Sequence, residues 1–188
     1  MTQRSKWFLH VRPAAVFLSG VILAGSFHTA IEVSNNMSFC ISCHEMRDTV
    51  YKEYQRTTHF SNRSGVQATC ADCHVPRQWD LKVRRKIHAT RELFHSILGT
   101  VDTPDKFEDK RLEMAQRVLA DMRANNSQEC RSCHSIARMS QVGQMESSRQ
   151  RHQDAQAEGK TCIDCHSGIA HKDVSGSNEK YLNKNTIE

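Results

Sequence analysis

The sequence predicts a mainly α-helical chain in two parts: an N-terminal membrane-spanning helix, then a domain of short helices packed around bound groups rather than around an apolar core. Three observations predict it. A 19-residue stretch without Asp, Glu, Lys or Arg runs from Pro13 to Ile31, behind a flank carrying Arg4, Lys6 and Arg12. Only 6% of the 188 residues are aromatic while 25% are charged, so side chains alone promise a thin interior. The pattern C-x-x-C-H occurs four times, at Cys40–His44, Cys70–His74, Cys130–His134 and Cys162–His166, and uses all eight cysteines. No strand-like alternation of any length appears.

Two thiols at this spacing can form thioethers with the two vinyl groups of one porphyrin, and the next residue's imidazole can reach the iron. C-x-x-C-H is the attachment signature of c-type haem. Zinc sites can also be built from two C-x-x-C pairs, but zinc gives no reason for a histidine after every second cysteine. A disulfide framework accounts for an even cysteine count and leaves the four histidines unexplained. The expected cofactors are therefore four covalently bound haem c groups, on Cys40 and Cys43, Cys70 and Cys73, Cys130 and Cys133, and Cys162 and Cys165. The fold class becomes a haem-packed multihaem cytochrome c domain whose folding depends on attachment. The formal charge of +5 is no argument for nucleic acid, because the propionates of four haems add roughly −8 when ionised.

Along the chain, residues 1–12 form the basic flank, expected to stay in the cytoplasm by the positive-inside rule. Residues 13–31 are close to the roughly 20 needed to cross a bilayer. The run is longer than an ordinary signal-peptide h-region and has no convincing A-x-A site before Glu32, so it is read as an uncleaved signal-anchor. Residues 32–174 then form a periplasmic domain at the bacterial inner membrane. His28, near the outer end of the span, is read as an interfacial residue. Two di-haem halves, 32–76 and 130–171, look like a repeat: in each, the motif starts lie about 30 residues apart and the second motif reads Thr-Cys-x-Asp-Cys-His. The linker 77–129 holds two helices. In Trp79 to Leu98 the positions Val83, Ile87, Phe94 and Ile97 fall on one face, with Gly99 following as C′. Thr103 and Pro104 open the second helix as N-cap and N1; Phe107, Met114, Val118, Leu119 and Met122 form its stripe, and Asn125-Asn126 end it. Residues 175–188 are a polar, loosely ordered tail.

Four haems take up to eight axial ligands. Of 11 histidines, His44, His74, His134 and His166 belong to the motifs. His59 and His152 stand 11 and 10 residues before the second motif of their halves, and His171 stands five after His166, so these three are the candidate distal ligands. His88 and His95 stay with the linker helix. The first motif alone continues Cys43-His44-Glu45-Met46. A thioether there would raise the haem potential relative to bis-histidine ligation. The residues alone keep His44 as the ligand and Met46 as packing.

Several stretches resemble one known family. The anchor, Cys-Ile-Ser-Cys-His-Glu-Met, Asn62-Arg63-Ser64-Gly65-Val66, Cys-x-Asp-Cys-His-Val-Pro, Asp102-Thr103-Pro104, Asn125-Asn126-Ser127-Gln128-Glu129-Cys130 and Gly168-Ile169-Ala170-His171 are similar to the NapC/NirT family of membrane-anchored tetrahaem cytochromes, nearest its NapC branch. The NrfH and CymA branches share the outline less closely. The resemblance implies oxidation of a membrane quinol (menaquinol or ubiquinol) and delivery of electrons to a periplasmic reductase or its small cytochrome subunit. It implies Met46 as the proximal ligand of the first haem, with the quinol site beside it, and Lys86 and Glu92 lining that site. Relatives carry an aspartate where this chain has Glu92. It further implies His171 for the second haem, His59 for the third and His152 for the fourth, although the repeat alone equally permits His152 at the first. The extra haem domain of the trimethylamine-N-oxide branch is missing, which favours a nitrate reductase partner. A homodimer is compatible with these readings. Rival classes are a multihaem terminal reductase, which needs an open iron for substrate, and a downstream electron carrier without its own quinol site.

Overall fold

The computed structural model describes residues 3–140 and 142–174, with side chains described from Arg12 onward; the tail at 175–188 lies outside the described residues. All regular structure among the described residues is helical. Helix α1 runs Gln3–Val33, ten residues further back than the charge-free run, and its portion Arg12–Val33 is long and apolar enough to cross a membrane. The extension has a simple cause: lysine and arginine are good helix formers, so the basic flank continues the helix instead of ending it. Val16, Phe17, Leu18, Val21, Ile22 and Leu23 stand exposed all around it. An apolar helix with no polar face suits lipid rather than a protein surface.

Two further long helices, α6 (Trp79–Ile97) and α7 (Pro104–Ala124), and the 12-residue α9 (Glu146–Ala157) are joined by helices of one turn or so: α2 (Met37–Cys40), α3 (His44–Asp48), α4 (Val50–Tyr54), α5 (Cys70–His74) and α8 (Gln128–Arg131), with 3₁₀ turns at Ile136–Arg138 and Cys162–Asp164. Helix α5 packs on α2 and α8, and α7 on α3 and the 162–164 turn. Few apolar side chains are buried among the described residues: Ile31, Tyr54, Phe107, Ile163 and Val174. The stripe on α7 is covered at Phe107 and half-covered at Met114, Val118, Leu119 and Met122. On α6, by contrast, Ile87, Phe94 and Ile97 are more than half exposed.

Helix α6 is fastened to the end of α1. Trp79 stacks on His28 (centroids 5.8 Å) and meets Phe27 edge-on (6.3 Å). One turn on, Lys82 pairs with Glu32 at 2.7 Å, and Lys86 donates to the Ser34 carbonyl at 3.0 Å. The loop between α4 and α5 is held from within. The Tyr54 hydroxyl donates to the Ala68 carbonyl and lies 3.2 Å from that of His59. The Asn62 carboxamide bonds the Thr58 and Val66 carbonyls and the Ser64 amide, closing a turn at Gly65, whose φ is +72°.

Linker punctuation follows local chemistry. Gly99 ends α6 at φ +66° and the Thr103 hydroxyl accepts the Lys106 amide at the start of α7. A Cβ at residue 99 would meet the Asp102 carboxylate at 3.0 Å, and a left-handed φ strains any L side chain. Gly99→Ala is therefore expected to cost about 1 kcal/mol or more, read as a Tm about 2–4 °C lower for the haem-loaded protein in detergent.

Candidate haem-binding sites

In three of the four motifs a single helical turn brings the cysteines to one side. The second motif is α5 itself, opened by Thr69, whose hydroxyl accepts the Asp72 amide while the Asp72 carboxylate accepts from Thr69. Thr161 and Asp164 form the same reciprocal cap around the fourth motif. A capping box satisfies two orphan amides at once, which gives Thr-Cys-x-Asp-Cys-His a structural reason. In the third and fourth motifs the histidine amide bonds back to the carbonyl of the first cysteine, at 2.8 Å (His134 to Cys130) and 3.0 Å (His166 to Cys162).

The first motif is built differently. Cys40 ends α2, Cys43 is extended at ψ 131°, and His44 begins α3. Its ring is half-exposed and 3.7 Å from the Glu45 carboxylate, whose Oε1 accepts from Ser96 at 2.6 Å. Met46, on the same short helix, is half-buried.

Long-range folding brings the remaining candidates to the other motifs. The ring of His171 stacks against His74 with centroids 6.1 Å apart, His59 meets His134 at 6.1 Å, and His152 meets His166 at 6.2 Å. No imidazole faces His44 in this way among the described residues. Two metal–imidazole bonds of about 2 Å set the ligating nitrogens about 4 Å apart, and the ring centres lie behind them, so separations near 6 Å fit two imidazoles clasping one iron. Burial and the neighbouring His171 push the pKa of His74 down to about 4, and burial lowers that of His171 as well, so the site favours the neutral form of both rings. His59 and His171 each bury Nδ1 without a hydrogen-bond partner. The other side of His152 is oriented: its Nδ1 lies 3.1 Å from the Gln144 side-chain oxygen, the outer partner that a ligating histidine ordinarily keeps. No three His, Cys, Asp or Glu side chains converge on one point among the described residues. All eight cysteines are unpaired.

The motifs touch in sequence order. Cys70 lies 3.1 Å from the sulfur of Met37 on α2, the helix that Cys40 ends, and Arg77 from the second motif's exit reaches Cys133 at 3.9 Å. Ser127, wholly buried at φ +49°, accepts the Ile163 amide at 3.2 Å and so joins the third motif to the fourth. Lys86 and Glu92 are not brought together. Burial lowers the pKa of Lys86, which points to the end of α1, whereas Glu92 pairs with Arg85 at 2.9 Å, and Arg85 also donates to the His74 carbonyl. Sequence reading missed Gln144 and Tyr54 and held Ser127 only as part of a resembling stretch, because one buried hydroxyl or amide among many carries no periodic signal.

Four such motifs on a helical scaffold define a multihaem c-type cytochrome. Residues 2–176 match the NapC/NirT cytochrome c family, N-terminal region, and the chain belongs to that family, with four haem c groups. It is 51% identical over 163 residues to the denitrification system component NirT of Stutzerimonas stutzeri, covering 87% of this chain and 81% of that one. It is 51% identical over 156 residues to the cytochrome c-type protein NapC of Escherichia coli K12 (83% and 78% covered) and 49% identical over 169 to that of Paracoccus pantotrophus (88% and 71%). No solved structure matches the chain.

The fourth motif's cap carries a pH signature. Arg123, 2.6 Å away, and the Thr161 cap hold Asp164 down to about 2, from an ordinary 3.8. A depressed carboxylate stabilises the fold fully above its unfolded pKa and loses that contribution as pH falls toward the folded value. Removing Arg123 raises the folded pKa, so Arg123→Ala should narrow that window, with acid unfolding setting in at higher pH in a circular dichroism titration.

Proposed function

We propose that the chain is an inner-membrane, quinol-oxidising tetrahaem cytochrome that passes electrons to a periplasmic reductase. The observation that supports this most is the inequality of the four motifs. Three face a second imidazole across ring separations near 6 Å, while the first, which follows the end of the membrane helix by a few residues, faces none among the described residues. In this reading His74 and His171 ligate the second haem, His134 and His59 the third, and His166 and His152 the fourth. At the first haem Met46 is the protein ligand and His44 the alternative. The eight cysteines supply the thioethers. The bound haems supply one-electron acceptors whose potentials follow their axial ligands.

The chain's own residues do the rest. Quinol approaches from the bilayer at the junction of α1 and α6, where Lys82 and Lys86 meet Glu32 and Ser34. Lys86 hydrogen-bonds and orients a quinol oxygen. Glu92, an exposed carboxylate held by Arg85, takes one of the quinol's two protons as general base, the other passes to water, and the two electrons leave one at a time. Contacts in the order first, second, third, fourth motif support a route outward in that order. The basic flank lies in the cytoplasm and residues 32–174 in the periplasm as two di-haem halves. The favoured partner is a nitrate reductase or its small cytochrome subunit, since the relatives include NapC proteins and a denitrification component.

Purified protein extracted in detergent should be reduced at its haem bands by a quinol analogue. Absence of reduction would leave a downstream carrier as the better reading. Lys86→Gln, with four haems per chain confirmed by mass, should slow that reduction about 10–100-fold, the range for losing one charged hydrogen bond. An unchanged rate would remove Lys86 from the site.

A further inference from the structure

Arg111 on α7 is 7% exposed, and its guanidinium is gripped from two sides. Nη1 and Nη2 donate to the Glu53 carboxylate of α4 at 3.1 and 2.7 Å, and Nε donates to Glu108 at 2.9 Å. The Phe107 ring lies 5.2 Å below it. Glu53 has a second role: its Oε2 accepts the backbone amide of Lys172 at 2.9 Å, and the Lys172 ammonium stands 3.4 Å from Glu108. Two carboxylates and two cations thus close a cluster across α4, α7 and the segment after the fourth motif. Residue 172 follows His171 directly. Among the described residues that segment has no helix, so its grip on the domain comes from contacts such as these.

We infer that the Glu53–Arg111–Glu108 cluster is a positioning device, holding His171 against the second haem through the Lys172 amide. This rests on the assignment of His171 to that haem. Ordinary surface pairs contribute little, and Arg117–Glu113 on the same helix is of that kind, both side chains being half-exposed. The Arg111 cluster differs in two ways. Its guanidinium is buried, where losing a partner leaves an uncompensated charge, and its carboxylate holds a backbone amide one residue from the ring. Arg111 and Glu53 therefore act through His171 rather than on any reactant.

The test uses the haem-loaded protein. Arg111→Lys keeps the charge and loses the two-sided fork; Glu53→Asp keeps the charge and draws the carboxylate back from the Lys172 amide. Haem count by mass, spin state by electron paramagnetic resonance and cyanide binding to the ferric protein are compared with wild type. Both variants should retain four haems and show a partial high-spin signal from one additional haem, which binds cyanide. His171→Gly should show that signal in full, and adding Arg111→Lys to it should change nothing further. Arg117→Lys should match wild type. If His171→Gly opens a haem while Arg111→Lys and Glu53→Asp leave every spin state as in wild type, the cluster is a plain ion pair and the inference is overturned. If His171→Gly opens none, the ligand assignment itself falls and takes the inference with it. Should Arg111→Lys yield no haem-stained protein, Glu53→Asp decides by the same criteria.

Discussion

Three pairs of imidazoles, each about 6 Å from centre to centre, are the separations to which the rest of this protein is fitted. The apolar interior is too small to fix a helix arrangement unaided: five buried apolar side chains among the described residues cannot do what a full core does for a domain of this length. Order comes instead from short hydrogen-bonded devices set beside each motif. Capping boxes hold the second and fourth, the buried Ser127 hydroxyl ties the third to the fourth, and the Tyr54 hydroxyl anchors the loop that carries His59. Each is local, and each keeps a ring or a cysteine pair in place.

The membrane end obeys a different logic. There, charged residues of α6 reach back to the end of α1: Lys86 donates to the Ser34 carbonyl and Lys82 pairs with the Glu32 carboxylate. The first motif follows a few residues later and lacks the helical turn of the other three. Its histidine is half-exposed beside a buried glutamate. The motif that the proposed function sets beside the membrane is thus the one built without that turn.

Much of this was legible in the sequence, because covalent haem attachment imposes a rigid spacing: eight cysteines, four motif histidines and the linker caps at Gly99 and Thr103 are all encoded within a few residues. The family resemblance rested on stretches whose role proves to be local structure. Asn62 to Val66 is a side-chain-closed turn, and Asn125 to Glu129 is a left-handed helix exit stabilised by Asn125 and Glu129. Which imidazole meets which motif could not be read from spacing, since those pairs are separated by many residues. Arg111 and Glu53 were equally silent: in sequence they are two charges among 47, and only burial sets them apart. The face of α6 shows the limit of periodicity, which finds an apolar stripe but not what covers it.

The likeness of the two halves does not extend to their imidazole pairing. His59 of the first half meets His134 of the second, His171 of the second meets His74 of the first, and only His152 and His166 share a half. Two of the three pairs are thus strapped across the middle of the chain. This bears on biogenesis. A chain emerging from its N-terminus presents the second motif roughly a hundred residues before His171 exists to face it. In the proposed ligation, a haem joined to Cys70 and Cys73 therefore waits for its second imidazole until a residue roughly a hundred positions further on has been made.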